Sequence, residues 1–373
     1  MKIDDFKLER YFARFEFTTR HSLSSSDCES LRVSELIQMA DPECLDLWQH
    51  LSLGYTQTMG HPLLRKEISG LYDKIKPEDI IVMAPEEGIF IAMNVLLNPG
   101  DHVIVPDPAY QSLSEIPKAV GCEVTRWPIK LRNNQWDLDI GFLQDSIKKN
   151  TKLIIINFPH NPTGFIPETD DFKSIVEIAR KNGLYLFSDE MYRYLEFSGT
   201  NRHESVCDIY ENGIVLSGLS KSFGLPGLRT GWLALRNKEL NKKFESFKDF
   251  TTICNSALSE IISIIALRNR DRIIGRNMEL IMGNMLALTN LFAVHKNFFT
   301  WIEPRGSSVA FPKLTEQIMV DDFCQNLIGQ KSIMLLPGSI FDYPGNHFRV
   351  GLGKRGFKEI LVELDSFLNE FYK

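Results

Sequence analysis

The stretch that most constrains this chain is Ile214 to Trp232, IVLSGLSKSFGLPGLRTGW. The apolar run Ile214-Val215-Leu216 reads as the end of a buried strand, stopped by Ser217-Gly218. Lys221 follows, flanked by the hydroxyls of Ser220 and Ser222. Gly224, Pro226 and Gly227 then impose an irregular loop, and Arg229 follows the lysine at a spacing of eight residues. A lysine at a strand end is ordinarily solvated. One set among hydroxyls and glycines, with an arginine close behind, has what a Schiff-base amine beside an anion site needs. Desolvation lowers the pKa of such an amine, so that it can attack a carbonyl near neutral pH. Hydroxyls and a guanidinium can hold a phosphate.

Upstream, Ile80 to Met83 reads as a short strand. Ala84-Pro85-Glu86-Glu87-Gly88 turns from it into an apolar helix over Ile89 to Leu97, and His102 to Pro106 is the next strand. This is a βαβ unit and implies a parallel sheet. Tyr110 comes just after the second strand, at the edge where open α/β sheets bind ligands; it either stacks on a flat ring or packs as an ordinary aromatic. Lys152 to Phe158 is a buried strand running into the breaker-rich turn Pro159-His160-Asn161-Pro162-Thr163-Gly164. Leu184 to Phe187 is another, ending at Ser188-Asp189-Glu190-Met191-Tyr192. An aspartate there is costly to bury without a cationic partner; capping of the next turn is the alternative. Ser26 or Asp27 is expected to cap a helix over Asp27 to Met39, and Cys254 to Asn290 to form one or two long helices. After Asn297 the chain shortens into strands and turns that include Arg349, then a helix from about Phe357.

Composition narrows the partners. The 373 residues carry a net charge of −6, which argues against nucleic acid or a polybasic membrane surface. No run approaches the length of a membrane span, and the N-terminus lacks the apolar core of a signal peptide. Six cysteines are scattered with no Cys-x-x-Cys pair and no His/Cys cluster at zinc spacing, so no metal site is expected, and they read as reduced thiols of a cytoplasmic protein.

Tyr110, Asn161, Asp189 with Tyr192, Lys221 and Arg229 thus lie in chain order at carboxyl ends of expected strands, with Arg349 downstream. Together N-P-T-G, S-D-E-x-Y and S-K-S-F-G-x-P-G-x-R resemble the class I/II aminotransferases, the aspartate-aminotransferase-like fold type I of pyridoxal-phosphate enzymes, over most of the chain from about residue 50 onward. The resemblance implies an α/β fold: a three-layer large domain with a mostly parallel sheet over 48–270, and a smaller α+β domain formed by 1–47 and 271–373. It implies pyridoxal 5'-phosphate as cofactor, an amino acid and a keto acid as substrates, and a homodimer with shared sites. Lys221 would join the cofactor covalently and later carry the proton at the substrate Cα. Asp189 would pair with the pyridine nitrogen, Asn161 and Tyr192 would bond the phenolate oxygen, and Tyr110 would stack on the ring. Ser220 and Arg229 would hold the phosphate, with Tyr55 reaching the phosphate of the neighbouring subunit. Arg349 would grip the substrate α-carboxylate, with Asn161 beside it.

The chain departs from the family at Ala84-Pro85, where a glycine and a small residue are usual. Proline offers no N–H, so phosphate binding there is expected to lean on the backbone N–H groups of Glu86 or Glu87, with their acids turned away. The P-E-E-G-I-F turn and the S-S-S-D segment look more like capreomycidine-synthase-type members. A lyase or cyclase on the same scaffold is therefore the alternative to an aminotransferase. Arg14, Arg20 and Arg305 are candidates for an acidic substrate side chain, and His160 for a place in the site wall.

Overall fold

Runs of Ile, Val and Leu too short for helices become the strands of one sheet, because β-branched side chains pack well on a pleated, doubly covered surface. The computed structural model describes residues 2–200, 202–315 and 318–371. The sheet strands are β1 (Ile80–Met83), β2 (His102–Asp107), β3 (Glu123–Arg132), β4 (Gln135–Leu138), β5 (Thr151–Asn157), β6 (Tyr185–Asp189), β7 (Gly213–Gly218) and β8 (Gly231–Ala234). Their spatial order is β1-β8-β7-β6-β5-β2-β3-β4. Neighbours from β7 through β6, β5 and β2 to β3 run parallel, whereas β8 is antiparallel to both β1 and β7. Ile154, Ile155 and Ile156 on β5 are fully buried on alternating faces. Each contributes about 1.5–3 kcal/mol relative to exposure.

The helices that bear on the site are α1 (Lys7–Phe15), α2 (Pro85–Leu96), α3 (Ala257–Arg268), α4 (Arg270–Val294) and α5 (Phe357–Phe371). The apolar stretch expected as one or two long helices is thus two, α3 and α4, separated at Asn269. Helix α2 starts at Pro85, earlier than its first apolar residue, because proline at the first helical position is pre-set in φ and loses no intrahelical bond. Helix α1 was not marked by the sequence reading, although Leu8, Tyr11 and Phe15 are buried at helical spacing. A second hydrophobic cluster joins α4 and α5 to a small antiparallel sheet of β9 (Val309–Ala310), β10 (Leu336–Pro337) and β11 (Phe348–Gly351), in the order β9-β11-β10. Among the described residues, no helix is long and apolar enough to cross a membrane.

The cap expected at Ser26 or Asp27 does not form; the helix there is the short Val33–Ile37. Asp27 instead accepts from Lys354 at 2.7 Å, and Ser26 accepts from Lys221 at 2.7 Å. Tertiary partners outcompete the local capping preference. Segment 25–28 runs so close to the end of β11 that a Cβ on Gly351 would meet Ser25 O at 1.8 Å, and one on Gly353 would meet Cys28 Cα at 2.7 Å. Glycine is required there for the close backbone approach that brings Ser26 to the lysine.

Candidate active site

Parallel pairing aligns the carboxyl ends of three strands. Asn157 on β5 is in register with Asp189 on β6, which is in register with Leu216 on β7. The chain leaves β7 through Leu219, whose N–H donates to Thr230 O at 3.0 Å, and this places Ser220 and Lys221 above the sheet edge. Beside them lies a cavity of about 500 Å³. Tyr110, Asn161, Asp189, Tyr192, Ser220, Lys221, Arg229, Glu86 and Arg349 all line it.

One histidine bond joins the loops that carry Asn161 and Tyr110, and a second holds the Asn161 turn together. His160 is completely buried, and burial pushes its pKa down to about 3, so the ring is neutral. It donates to Pro108 O at 2.9 Å and accepts from Thr163 Oγ1 at 2.7 Å. It braces the turn and does not line the cavity. Asn157, which the sequence reading passed over, does line it. Its Nδ2 donates to Asp189 O at 3.0 Å and its Oδ1 accepts from Asn161 N–H at 3.0 Å. The signal was available, since Asn157 is a polar residue closing an apolar strand, as Asp189 is.

Arg349 on β11 is 1% exposed. Its Nη2 donates to Ser24 O at 2.8 Å and its Nη1 to Asn161 Oδ1 at 3.1 Å, while its Nε has no partner. Asp189 is buried and, among the described residues, has no ion-pair partner; Met191 N–H donates to its Oδ1 at 3.1 Å. Burial raises its carboxyl pKa to about 7. Burial acts in the opposite direction on Lys221, holding its ammonium below the usual lysine range. The hydroxyls of Tyr192 and Ser220 are buried without hydrogen-bond partners.

Some expectations are corrected. Glu86 does not turn away: its side chain lines the cavity against Tyr110 and Ser112, and burial raises its pKa. Glu87 does turn away, capping Ala84 N–H at 3.3 Å and accepting from Thr252 Oγ1 at 2.8 Å. Its carboxylate therefore takes no part in the cavity, and only its backbone N–H remains a candidate. Tyr55 is 92% exposed and does not line the cavity of its own chain. Arg229 is exposed at the cavity margin, with φ +55°. The three arginines considered for an acidic side chain are elsewhere. Arg14 lies over Phe15, Arg20 binds Glu363 at 2.5 Å, and Arg305 binds Glu168 beside a separate cleft.

These residues fit pyridoxal phosphate on their own terms. A buried carboxyl lacks a cation, two buried hydroxyls lack partners, and a buried guanidinium keeps a spare N–H, all around one cavity that also holds a desolvated amine. The fold and site together define a fold type I pyridoxal-phosphate enzyme. The model of the family described as aminotransferase class I and II matches residues 23–361, and the chain belongs to that family. A pyridoxal-phosphate-dependent aminotransferase from Streptococcus suis is 31% identical, with a TM-score of 0.92 and 100% of each chain covered. The aspartate aminotransferase of Sulfurisphaera tokodaii is 28% identical over 77% of this chain and 74% of its own. The capreomycidine synthase of Streptomyces vinaceus is 26% identical over 97% of this chain and 93% of its own.

Proposed function

We propose that the protein is an aminotransferase that moves an amino group between an amino acid and a 2-keto acid. The observation that carries this reading is the convergence of Lys221, Asp189 and Arg349 on one cavity. When bound, pyridoxal phosphate supplies an electron sink for negative charge developing at the substrate Cα. Lys221 attaches the cofactor and afterwards moves the Cα proton, a task suited to an amine that burial makes easier to deprotonate. Asp189 holds the pyridine nitrogen protonated, and in return its carboxylate gains the cation it lacks. Asn161 and Tyr192 bond the phenolate oxygen, and Tyr110 covers the ring. Ser220, Arg229 and the backbone N–H groups of Glu86 and Glu87 hold the phosphate at the start of α2, where free N–H groups and the helix dipole favour an anion. Arg349 grips the α-carboxylate, and so fixes which Cα bond faces the ring. Tyr55 completes the site of a second subunit in a homodimer; its exposure on its own chain supports that placement. We assign 48–270 to the large domain and 1–47 with 271–373 to the small one, supported by the separate hydrophobic cluster around α4 and α5. The cytoplasm is the proposed compartment, and six free cysteines support it.

The test is to load the protein with pyridoxal phosphate, supply amino donors with 2-oxoglutarate, and follow both cofactor absorbance and new amino acid. Acceptor-dependent amino transfer is expected. Ammonia release or ring closure without an acceptor overturns transamination in favour of a lyase or cyclase. That second reading is favoured by the near-complete alignment with a capreomycidine synthase. A separate expectation concerns Arg349→Gln. Truncating one side of a buried charge-assisted pair costs about 2–5 kcal/mol, so kcat/KM falls about 30- to 4,000-fold while cofactor absorbance is retained.

A further inference from the structure

We infer that Ser26 is a positioning residue for the proton transfer at the substrate Cα: its hydroxyl holds the free Lys221 amine, and the segment that carries it ties that amine to the grip on the α-carboxylate. The inference rests on the site proposed above and adds a residue to which that proposal gives no task.

The segment is a strap over residues 23–29. Backbone hydrogen bonds join both of its ends to one strand and its continuation: Gly351 N–H donates to Leu23 O at 2.7 Å, and Glu29 N–H donates to Gly353 O at 2.7 Å. Gly351 closes β11, the strand that carries Arg349. Between these ends, Ser24 O accepts from Arg349 Nη2 at 2.8 Å, Ser26 O accepts from Ser308 Oγ at 2.6 Å, and Asp27 accepts from Lys354 at 2.7 Å. Every one of these bonds lies within one chain. Ser26 Oγ is left for the cavity, where it accepts from Lys221 Nζ at 2.7 Å. A serine that only fills a turn bonds backbone nearby. This one bonds a side chain 195 positions away.

The chemistry needs such a hold. A neutral amine has two N–H groups and one lone pair, and the lone pair must face the Cα–H for the proton to move. Rotation about the Cε–Nζ bond turns it away. Engaging one N–H on Ser26 Oγ stops that rotation and leaves the lone pair for the substrate. Arg349 is bonded to the same strap through Ser24, so the carbon it presents and the amine that must reach it share one frame. A misplacement of about 1 Å between reacting groups costs on the order of 10²-fold in rate.

The variant is S26A, which deletes the hydroxyl and leaves every backbone bond of the strap; thermal unfolding checks that the fold is kept. The first measurement mixes pyridoxal 5'-phosphate with the cofactor-free chain over a range of pH and reads the rate at which the absorbance of the joined cofactor grows. An oxygen that accepts from Lys221 bonds the ammonium more strongly than the neutral amine, so its loss moves the midpoint of that profile about one pH unit down. Burial, which disfavours the ammonium, Asp27, Asp189 and Glu9, which favour it, and Arg349, which opposes it, are all unchanged in the variant. The second measurement gives the cofactor-loaded enzyme a mixture of the standard L-amino acids in heavy water, at a pH above both midpoints, and reads deuterium at Cα by mass spectrometry. For the amino acids that exchange, the maximal rate is expected to fall about tenfold in S26A, while the half-saturating concentration and the cofactor affinity stay within about twofold. An unmoved pH profile overturns the inference. So does undiminished exchange, or a loss of cofactor affinity equal to the loss of exchange, which marks a merely structural serine. If the unaltered enzyme exchanges Cα hydrogen but passes no amino group to a keto acid, transamination fails and the role of Ser26 stands. If it exchanges none of these amino acids, the pH profile alone decides for or against Ser26.

Discussion

Lys221→Ala and Lys221→Arg are each expected to lower turnover about 10⁴-fold or more, because the proposed function makes the residue both covalent anchor and proton carrier. The paired substitution separates chemistry from structure. Arginine keeps a cation near Ser26 and Asp189, so a lysine present only to balance charge tolerates it. A guanidinium is never deprotonated near neutral pH, however, and is neither nucleophile nor base. Burial already works against the charged form of Lys221, with Asp27 and Asp189 opposing that effect and Arg349 reinforcing it. Removing the amine therefore leaves the cofactor-free fold intact, and thermal unfolding of both variants stays close to that of the unaltered protein. Rapid-quench kinetics and the loss of the protonated Schiff-base absorbance band check the effect. An arginine variant that retains even a tenth of the activity shows that the amine is not the reacting group.

How much of this was readable from residues alone varies with the physical signal. Asp189 was legible because it ends an apolar strand with a group that is expensive to bury, and Asn161, Tyr192 and Lys221 because each sits in the turn just after such a strand; the structure gathers all four around one cavity. Arg349 was legible only through the family resemblance, as a single arginine on a short strand carries no periodic signal. Ser26 was misassigned for a definite reason. A Ser-Asp pair before an apolar-periodic run satisfies helix capping locally, and only the fold brings Lys221 and Lys354 to it from far along the chain. The face of α1 that lines the site was missed likewise. Its buried Leu8, Tyr11 and Phe15 have helical spacing, but nothing in a sequence says that the adjoining stripe of Glu9, Phe12 and Glu16 faces a cavity. Glu86 and Glu87 show the same limit. They are neighbours of identical chemistry, and helix geometry turns one toward Tyr110 and the other toward Thr251 and Thr252.

Asp189→Asn has opposite effects on the cofactor-free and cofactor-loaded protein. Without cofactor, burial raises the Asp189 pKa to about 7, with Glu86 and Glu190 adding to the rise and Lys221 opposing it. The unfolded chain has the ordinary aspartate value near 4. A raised pKa means that the stability contributed by the protonated form is complete below about pH 4 and is lost as pH climbs through about 7. Asparagine is neutral throughout, and its side-chain oxygen still accepts from Met191 N–H. The urea-unfolding free energy of the cofactor-free variant, minus that of the unaltered protein, therefore rises between pH 5 and pH 8. With cofactor bound as proposed, the ionised carboxylate would gain the pyridine N–H, and the sign would reverse. Breaking a buried charged pair costs about 3–5 kcal/mol, so cofactor affinity in the variant is expected to fall about 100- to 4,000-fold. A residue that only packs destabilises both forms alike. A difference that is flat or falling with pH in the cofactor-free protein, or unchanged cofactor affinity, removes Asp189 from the pyridine nitrogen, and with it the proposed means of keeping the ring an electron sink.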